Sequence, residues 1–137
     1  MRAVNLVIGL LWLISFNQAR ANVELSDDFL NAQPRVQLYM AYAEYKMANY
    51  PLAHAMWQRI DGVGKAEALF NLGILYEQGK GVEQSLVAAR DYYLQAAEAG
   101  SRAGAYQVGL MALEHPKMVP AETARHWLMV AALDGEE

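Results

Sequence analysis

The sequence predicts an all-α chain, a short antiparallel α-solenoid of about three helical hairpins. Three observations carry that expectation. An aromatic residue within an alanine-rich stretch recurs as Trp57, Tyr92 and Trp127, 35 residues apart both times, and a fixed period in the mid-thirties marks stacked helical hairpins. Between Arg35 and Gly135 the apolar residues fall at three- and four-residue spacing, a helical stripe in each segment. Glycine- and proline-containing breaks separate those stripes, and Lys65 to Gly100 holds one full unit: small-residue helix, glycine loop, second helix, closing Gly.

Taken in order, the chain begins with Arg2, an apolar run from Val4 to Phe16, and Ala19-Arg20-Ala21, which fits the small-x-small cleavage pattern. The run is short of the roughly 20 apolar residues that a spanning helix needs. Residues 1–21 therefore read as a secretory signal cut after Ala21, with an uncleaved anchor as the competing reading. The expected mature chain, Asn22 to Glu137, has 116 residues with 9 basic and 15 acidic side chains, a formal charge of −6. Residues 22–33 form an acidic leader in which Ser26-Asp27-Asp28 is placed to cap a turn that docks Phe29 and Leu30. Residues 34–137 form the repeat domain.

Pro34 suits the first turn of a helix, where its missing N–H costs nothing. Leu38, Ala41, Tyr42 and Tyr45 make the stripe of that helix; Asn49-Tyr50-Pro51 turns the chain, and Ala53, Met56, Trp57 and Ile60 make the next. The second hairpin opens near Lys65. Its Gly73 lies inside a helix, where glycine costs about 1 kcal/mol against alanine, so a close helix crossing is expected there. Gly79-Lys80-Gly81 breaks the helix, Val82 plugs the turn, Ser85 caps the return helix and Gly100 closes it. The third hairpin repeats the second from Ser101 at an offset of 36, dropping to 35 beyond the loop, so one residue is lost between its helices. Its loop, His115 to Val119, has exchanged the glycines for bulkier residues, and Pro120 takes the place of Ser85.

Composition excludes several functions. An acidic mature chain without clustered Lys and Arg lacks the footprint of nucleic-acid binding and of a membrane-surface helix, so no membrane insertion is expected after signal cleavage. Cysteine is absent, which rules out disulfides and cysteine-ligated zinc. His54, His115 and His126 show no metal-ligand spacing, so neither a metal nor a cofactor is expected. Ser26, Ser85 and Ser101 stand at helix starts, where capping accounts for them. Glu67 and Glu77, ten residues apart on one helix, are about 15 Å apart, too far for a glycosidase pair. Gly79-x-Gly81 follows no strand and precedes no Lys-Ser/Thr, so it is not a phosphate loop. No catalytic residue is identified, and the chain reads as not an enzyme.

Ala66-x-Ala68, Leu72-Gly73, Tyr76, Gly79-x-Gly81-Val82, Ala89, Tyr92-Tyr93 and Ala96-Ala97-x-x-Gly100 resemble the SEL-one-like repeat of the tetratricopeptide superfamily. The third unit keeps the helices and departs at the loop; the first resembles a plain tetratricopeptide hairpin. The resemblance implies an antiparallel solenoid acting as a protein-interaction scaffold, with the first helix of each hairpin on the concave surface. Carried over by position, the partner-binding set is Arg35, Leu38, Tyr42 and Tyr45; Glu67, Phe70, Ile74 and Glu77; and Tyr106 and Leu110, joined by Ala103 and Leu113. The competing reading makes Tyr42, Phe70 and Tyr106 core residues, or fills the groove with the leader. Trp57, Tyr92 and Trp127, like the pairs Ala96-Ala97 and Ala131-Ala132, are expected to be inter-helix packing.

The function expected is an exported adaptor, periplasmic or secreted, that binds a protein or peptide partner. A periplasmic immunity or inhibitor protein facing a toxin or hydrolase is the alternative, since an acidic chain steers a basic effector toward itself; a structural envelope subunit is a third. Open aromatics also predict weak self-association when the partner is absent.

Overall fold

The computed structural model describes residues 23–133, and among these there are helices and turns but no strand. The helices are α1 (Asp27–Asn31), α2 (Pro34–Lys46), α3 (Tyr50–Arg59), α4 (Lys65–Gln78), α5 (Leu86–Glu98), α6 (Arg102–Glu114) and α7 (Ala121–Leu133), with a 3₁₀ turn at Gly62–Gly64 between α3 and α4. Pairs α2/α3, α4/α5 and α6/α7 form three antiparallel hairpins, and each helix packs mainly on its neighbours in the chain. This is the short solenoid that the sequence predicts. The signal expected at residues 1–21, and Gly135, lie outside the described residues.

The ends of the helices follow local chemistry. Ser26, Ser85 and Ser101 each accept a backbone N–H three residues on, from Phe29, Ala88 and Gly104, which satisfies a donor the first turn leaves over. Pro34 is the first residue of α2. At the other ends a left-handed residue follows the helix, and a six-to-one hydrogen bond closes the last turn. Gly100 (φ 98°) does this for α5, with Ser101 N donating to Ala96 O, and Gly79 (φ 64°) for α4, with Lys80 N donating to Leu75 O. At the end of α2 the same position is Ala48, φ 63°, with Asn49 N donating to Glu44 O.

Among the described residues the core has two main layers and a small third cluster of Ala97, Ala105 and Ala131. The first gathers Phe29, Ala41, Ala53, Met56, Trp57, Ile60, Ala68, Leu72 and Leu75; the second gathers Ala89, Tyr93, Val108, Met111, Ala112, Val119 and Ala124. Phe29 of the leader is fully buried, worth about 1.5–3 kcal/mol of apolar transfer, and its carbonyl accepts a 2.9 Å hydrogen bond from the Gln37 side chain. Leu30 stays outside. Trp57 is buried, and its indole N–H has no acceptor among the described residues, so the ring serves the core by its area.

The helix crossing expected at Gly73 is real. A Cβ there would lie 2.5 Å from the ring of Tyr93 on α5. In the third unit Gly109 meets Leu128 in the same way, so the two hairpins close by the same device with different large partners. Across the seam between units, Gly104 of α6 sits on Ala96 and Ala97 of α5.

Candidate functional site

The three loops connecting the hairpin helices fix how the first helices line up. Between α4 and α5 there are seven residues, between α6 and α7 six, and between α2 and α3 only three. Tyr45 against Trp57 (centroids 5.7 Å apart) is therefore the first-unit copy of Tyr76 against Tyr92 (5.3 Å), an offset of 31 on the first helices and 35 on the second. In that register the counterparts of Glu67, Phe70, Ile74 and Glu77 are Val36, Tyr39, Ala43 and Lys46.

This places the expected binding residues of α2 differently from the sequence reading. Leu38 and Tyr45 are half-buried and packed against the first core layer. Arg35 is exposed, as is Tyr42 at 51%. Tyr39, absent from the expected set, is 76% exposed. The shift by one position arises because the three-residue turn hides the register of α2, whose apolar stripe is readable from either side.

On α4, Glu67 is exposed, while Phe70, Ile74 and Glu77 are half-buried. Phe70 leans on the ring of Tyr93, 5.7 Å between centroids. The Glu77 carboxylate accepts a 2.7 Å hydrogen bond from the Tyr93 hydroxyl, so it ties the two helices of the unit together. Burial, and then the bond to Glu77, push the Tyr93 hydroxyl above its ordinary value of 10.0. On α6, Tyr106 is exposed at 52%, Leu113 at 76%, and Leu110 is half-buried. Phe70 and Tyr106 are equivalent positions; the first is partly covered, the second open.

Lys80, at the centre of the glycine loop, reaches back to the first unit. Its Nζ lies 5.1 Å and 5.4 Å from the ring centroids of Tyr45 and Tyr50 and donates to the Tyr45 hydroxyl at 3.2 Å. That hydrogen bond raises the ammonium pKa above the usual lysine value. Gly81 beside it faces the backbone of Tyr50 and Pro51. Val82 packs on the first core layer, and Val119, buried, fills the third loop. Arg90 on α5 donates to the Met118 carbonyl in that loop. The second and third loops thus brace against the preceding hairpin.

Two clefts are formed among the described residues. One, of about 490 Å³, lies between the starts of α4 and α6 and is lined by Val63, Ala66, Glu67, Phe70, Asn71, Ser101 and Ala103. The other, about 660 Å³ and mainly apolar, lies on the outer side of the last hairpin among Arg102, Ala103, Tyr106, Leu128, Ala131 and Ala132. Ala96 and Ala97 are buried in the seam, as expected of packing residues; in the third unit Ala131 is buried but Ala132 is exposed. Trp127 and Tyr92 are half-buried at the edges of the core.

No group of three or more His, Asp or Glu side chains that could hold a metal occurs among the described residues. His54 Nε2 is 3.3 Å from the Tyr76 hydroxyl, His126 is exposed, and His115 is half-buried. No helix among the described residues is long and apolar enough to cross a membrane. Sequence reasoning missed Tyr39, Val63 and Tyr93. For Tyr39 the available signal was the Tyr45–Trp57 pairing, which sets the register once aligned with Tyr76–Tyr92.

Residues 66–101 match the Sel1 repeat family. Among solved structures the chain is similar to a Sel1 repeat protein from Oxalobacter formigenes, with 26% sequence identity and a TM-score of 0.68; the match covers 76% of this chain and 44% of that one. The chain therefore spans less than half the length of that relative. No curated protein matches. The matched segment runs from Ala66, in the first turn of α4, to Ser101, the cap of α6: one full hairpin with its closing turn and the start of the seam. The chain is a helical-repeat protein, its middle hairpin matching the Sel1 repeat and its stack similar in fold to a Sel1 repeat protein.

Proposed function

We propose that this chain is an exported interaction module that holds an extended segment of a partner protein along the face lined by α2, α4 and α6. The observation that carries the reading is the open tyrosine set on those first helices, Tyr39, Tyr42 and Tyr106, together with a cleft between the starts of α4 and α6 whose walls include Glu67, Phe70, Asn71 and Ser101. Tyrosine offers large contact area at low rotamer cost, which is what a recognition surface needs. The helical-repeat fold supports a protein-interaction scaffold in general. The signal-like segment at residues 1–21 supports export, and the first residue of the secreted chain should be Asn22 by N-terminal sequencing.

Photocrosslinking tests the face. A benzophenone amino acid at Glu67 or Tyr106 should give a specific adduct in envelope extract, and one at Val87, exposed on α5, should not. The adduct should disappear, at unchanged helicity, when Tyr42→Ala is combined with Tyr39→Ala, two exposed sites outside the buried core of which Tyr42 also stacks on the Tyr45 ring. Adducts from position 87 alone would place the contact on the return helices and sink the proposal. Phe70 is unsuited to such a variant because its ring also packs on Tyr93.

A further inference from the structure

We infer that the stripe Arg35, Tyr39, Tyr42 and Lys46 on α2 is a docking strip for an acidic extended peptide, with two carboxylates about five residues apart and apolar residues between them. The inference deepens the interaction reading above, on which it rests, by naming the chemistry of the partner. These four residues follow one another at i, i+4, i+7 and i+11, a single helix face, and all four are exposed. The ion pairs among the described residues are Lys65–Asp61 and Arg90–Asp91; neither Arg35 nor Lys46 has a carboxylate partner there. Two unpaired cations thus bracket two exposed tyrosine rings on a chain whose overall charge is negative. Elsewhere along the first-helix face the pattern differs: Glu67 is acidic and Glu77 is engaged by Tyr93.

Geometry sets the spacing of the ligand. Eleven residues of helix put Arg35 and Lys46 about 16 Å apart along the axis. An extended chain covers about 3.3 Å per residue, so carboxylates five positions apart span the same distance. Proline or leucine between them would lie on the tyrosine rings, and proline limits the entropy lost on binding.

The test uses a fluorescein-labelled octapeptide with glutamates at its second and seventh positions and proline-leucine-leucine-proline between. Two controls carry lysines at those positions, or both glutamates adjacent at the centre. Fluorescence anisotropy with the protein from Asn22 onward should show binding of the first peptide, weakened by salt, and at least tenfold weaker binding of both controls. Amide shifts in NMR should fall on α2. The double variant Arg35→Glu with Lys46→Glu, both surface positions, should lose the acidic peptide by tenfold or more at unchanged helicity. Equal binding of the lysine peptide, or an acidic peptide indifferent to the charge reversal, would overturn the proposal. Shifts confined to Glu67 and Ser101 would overturn it too and leave the first-helix face standing. Binding to anionic vesicles in place of any peptide would assign the strip to a lipid surface. Failure of the crosslinking at positions 67 and 106, by contrast, strikes at the interaction face itself.

Discussion

Ala48 is where the chain departs most plainly from its own rule. Gly79 and Gly100 occupy the left-handed position that ends α4 and α5, whereas α2 ends on an alanine at φ 63°. An L-residue in that conformation costs about 1–2 kcal/mol, partly offset by the extra chain entropy that glycine would lose. Ala48→Gly should therefore stabilise the protein by about 0.5–1 kcal/mol, read as a rise in Tm of about 3–6 °C. Tyr93 carries a second residue-scale prediction. Its ionisation is raised in the folded state by burial and by Glu77, so the unfolded chain loses this proton first as pH rises. The associated stability is fully present below pH 10 and falls above it. Between pH 8 and 11 the urea midpoint should drop by the equivalent of about 1 kcal/mol more than in Tyr93→Phe, which has no hydroxyl to ionise. Equal drops in the two proteins would refute the coupling.

At the scale of elements, the loop between α4 and α5 is a brace more than a connector. Gly81 has φ 70°, and a Cβ there would come 2.7 Å from Tyr50 Cβ and 2.8 Å from the Tyr50 carbonyl carbon, atoms that a rotamer change cannot remove. Gly62, at φ 60°, has open space around it. Gly81→Ala should cost about 2–4 kcal/mol, the backbone strain plus the displacement of α3. Gly62→Ala should cost about 1 kcal/mol, the backbone strain alone. Urea unfolding of the two variants separates contact from conformation, and equal costs would mean that the loop does not press on α3. The same loop explains what was legible in the sequence. Gly-x-Gly-Val, the serine caps and the closing Gly100 each announce a local geometry, so the second and third hairpins could be placed almost to the residue. The register of α2 could not, because its turn is four residues shorter and its apolar positions satisfy two adjacent faces. The bond from Tyr93 to Glu77, sixteen residues away, is a tertiary event that periodicity cannot show: adjacent tyrosines at 92 and 93 read alike, and only the crossing at Gly73 decides which is buried.

For the whole molecule the two flanks of the stack are chemically unlike. Before α2, Phe29 and the bond from Gln37 to its carbonyl close the first hairpin. Beyond α7, Tyr106 of α6 borders an apolar cleft together with Leu128, Ala131 and Ala132, the last three on positions equivalent to Tyr93, Ala96 and Ala97, with which α5 receives α6. The solenoid consequently has a grammar with a direction. A helix bearing small residues at its third and fourth positions, as Gly104 and Ala105 are in α6, finds a ready-made seat on the α7 side. On the α2 side Phe29 already packs on the first core layer. A duplicated hairpin would therefore meet complementary small-residue positions on the α7 side, whereas on the α2 side it would first have to displace Phe29.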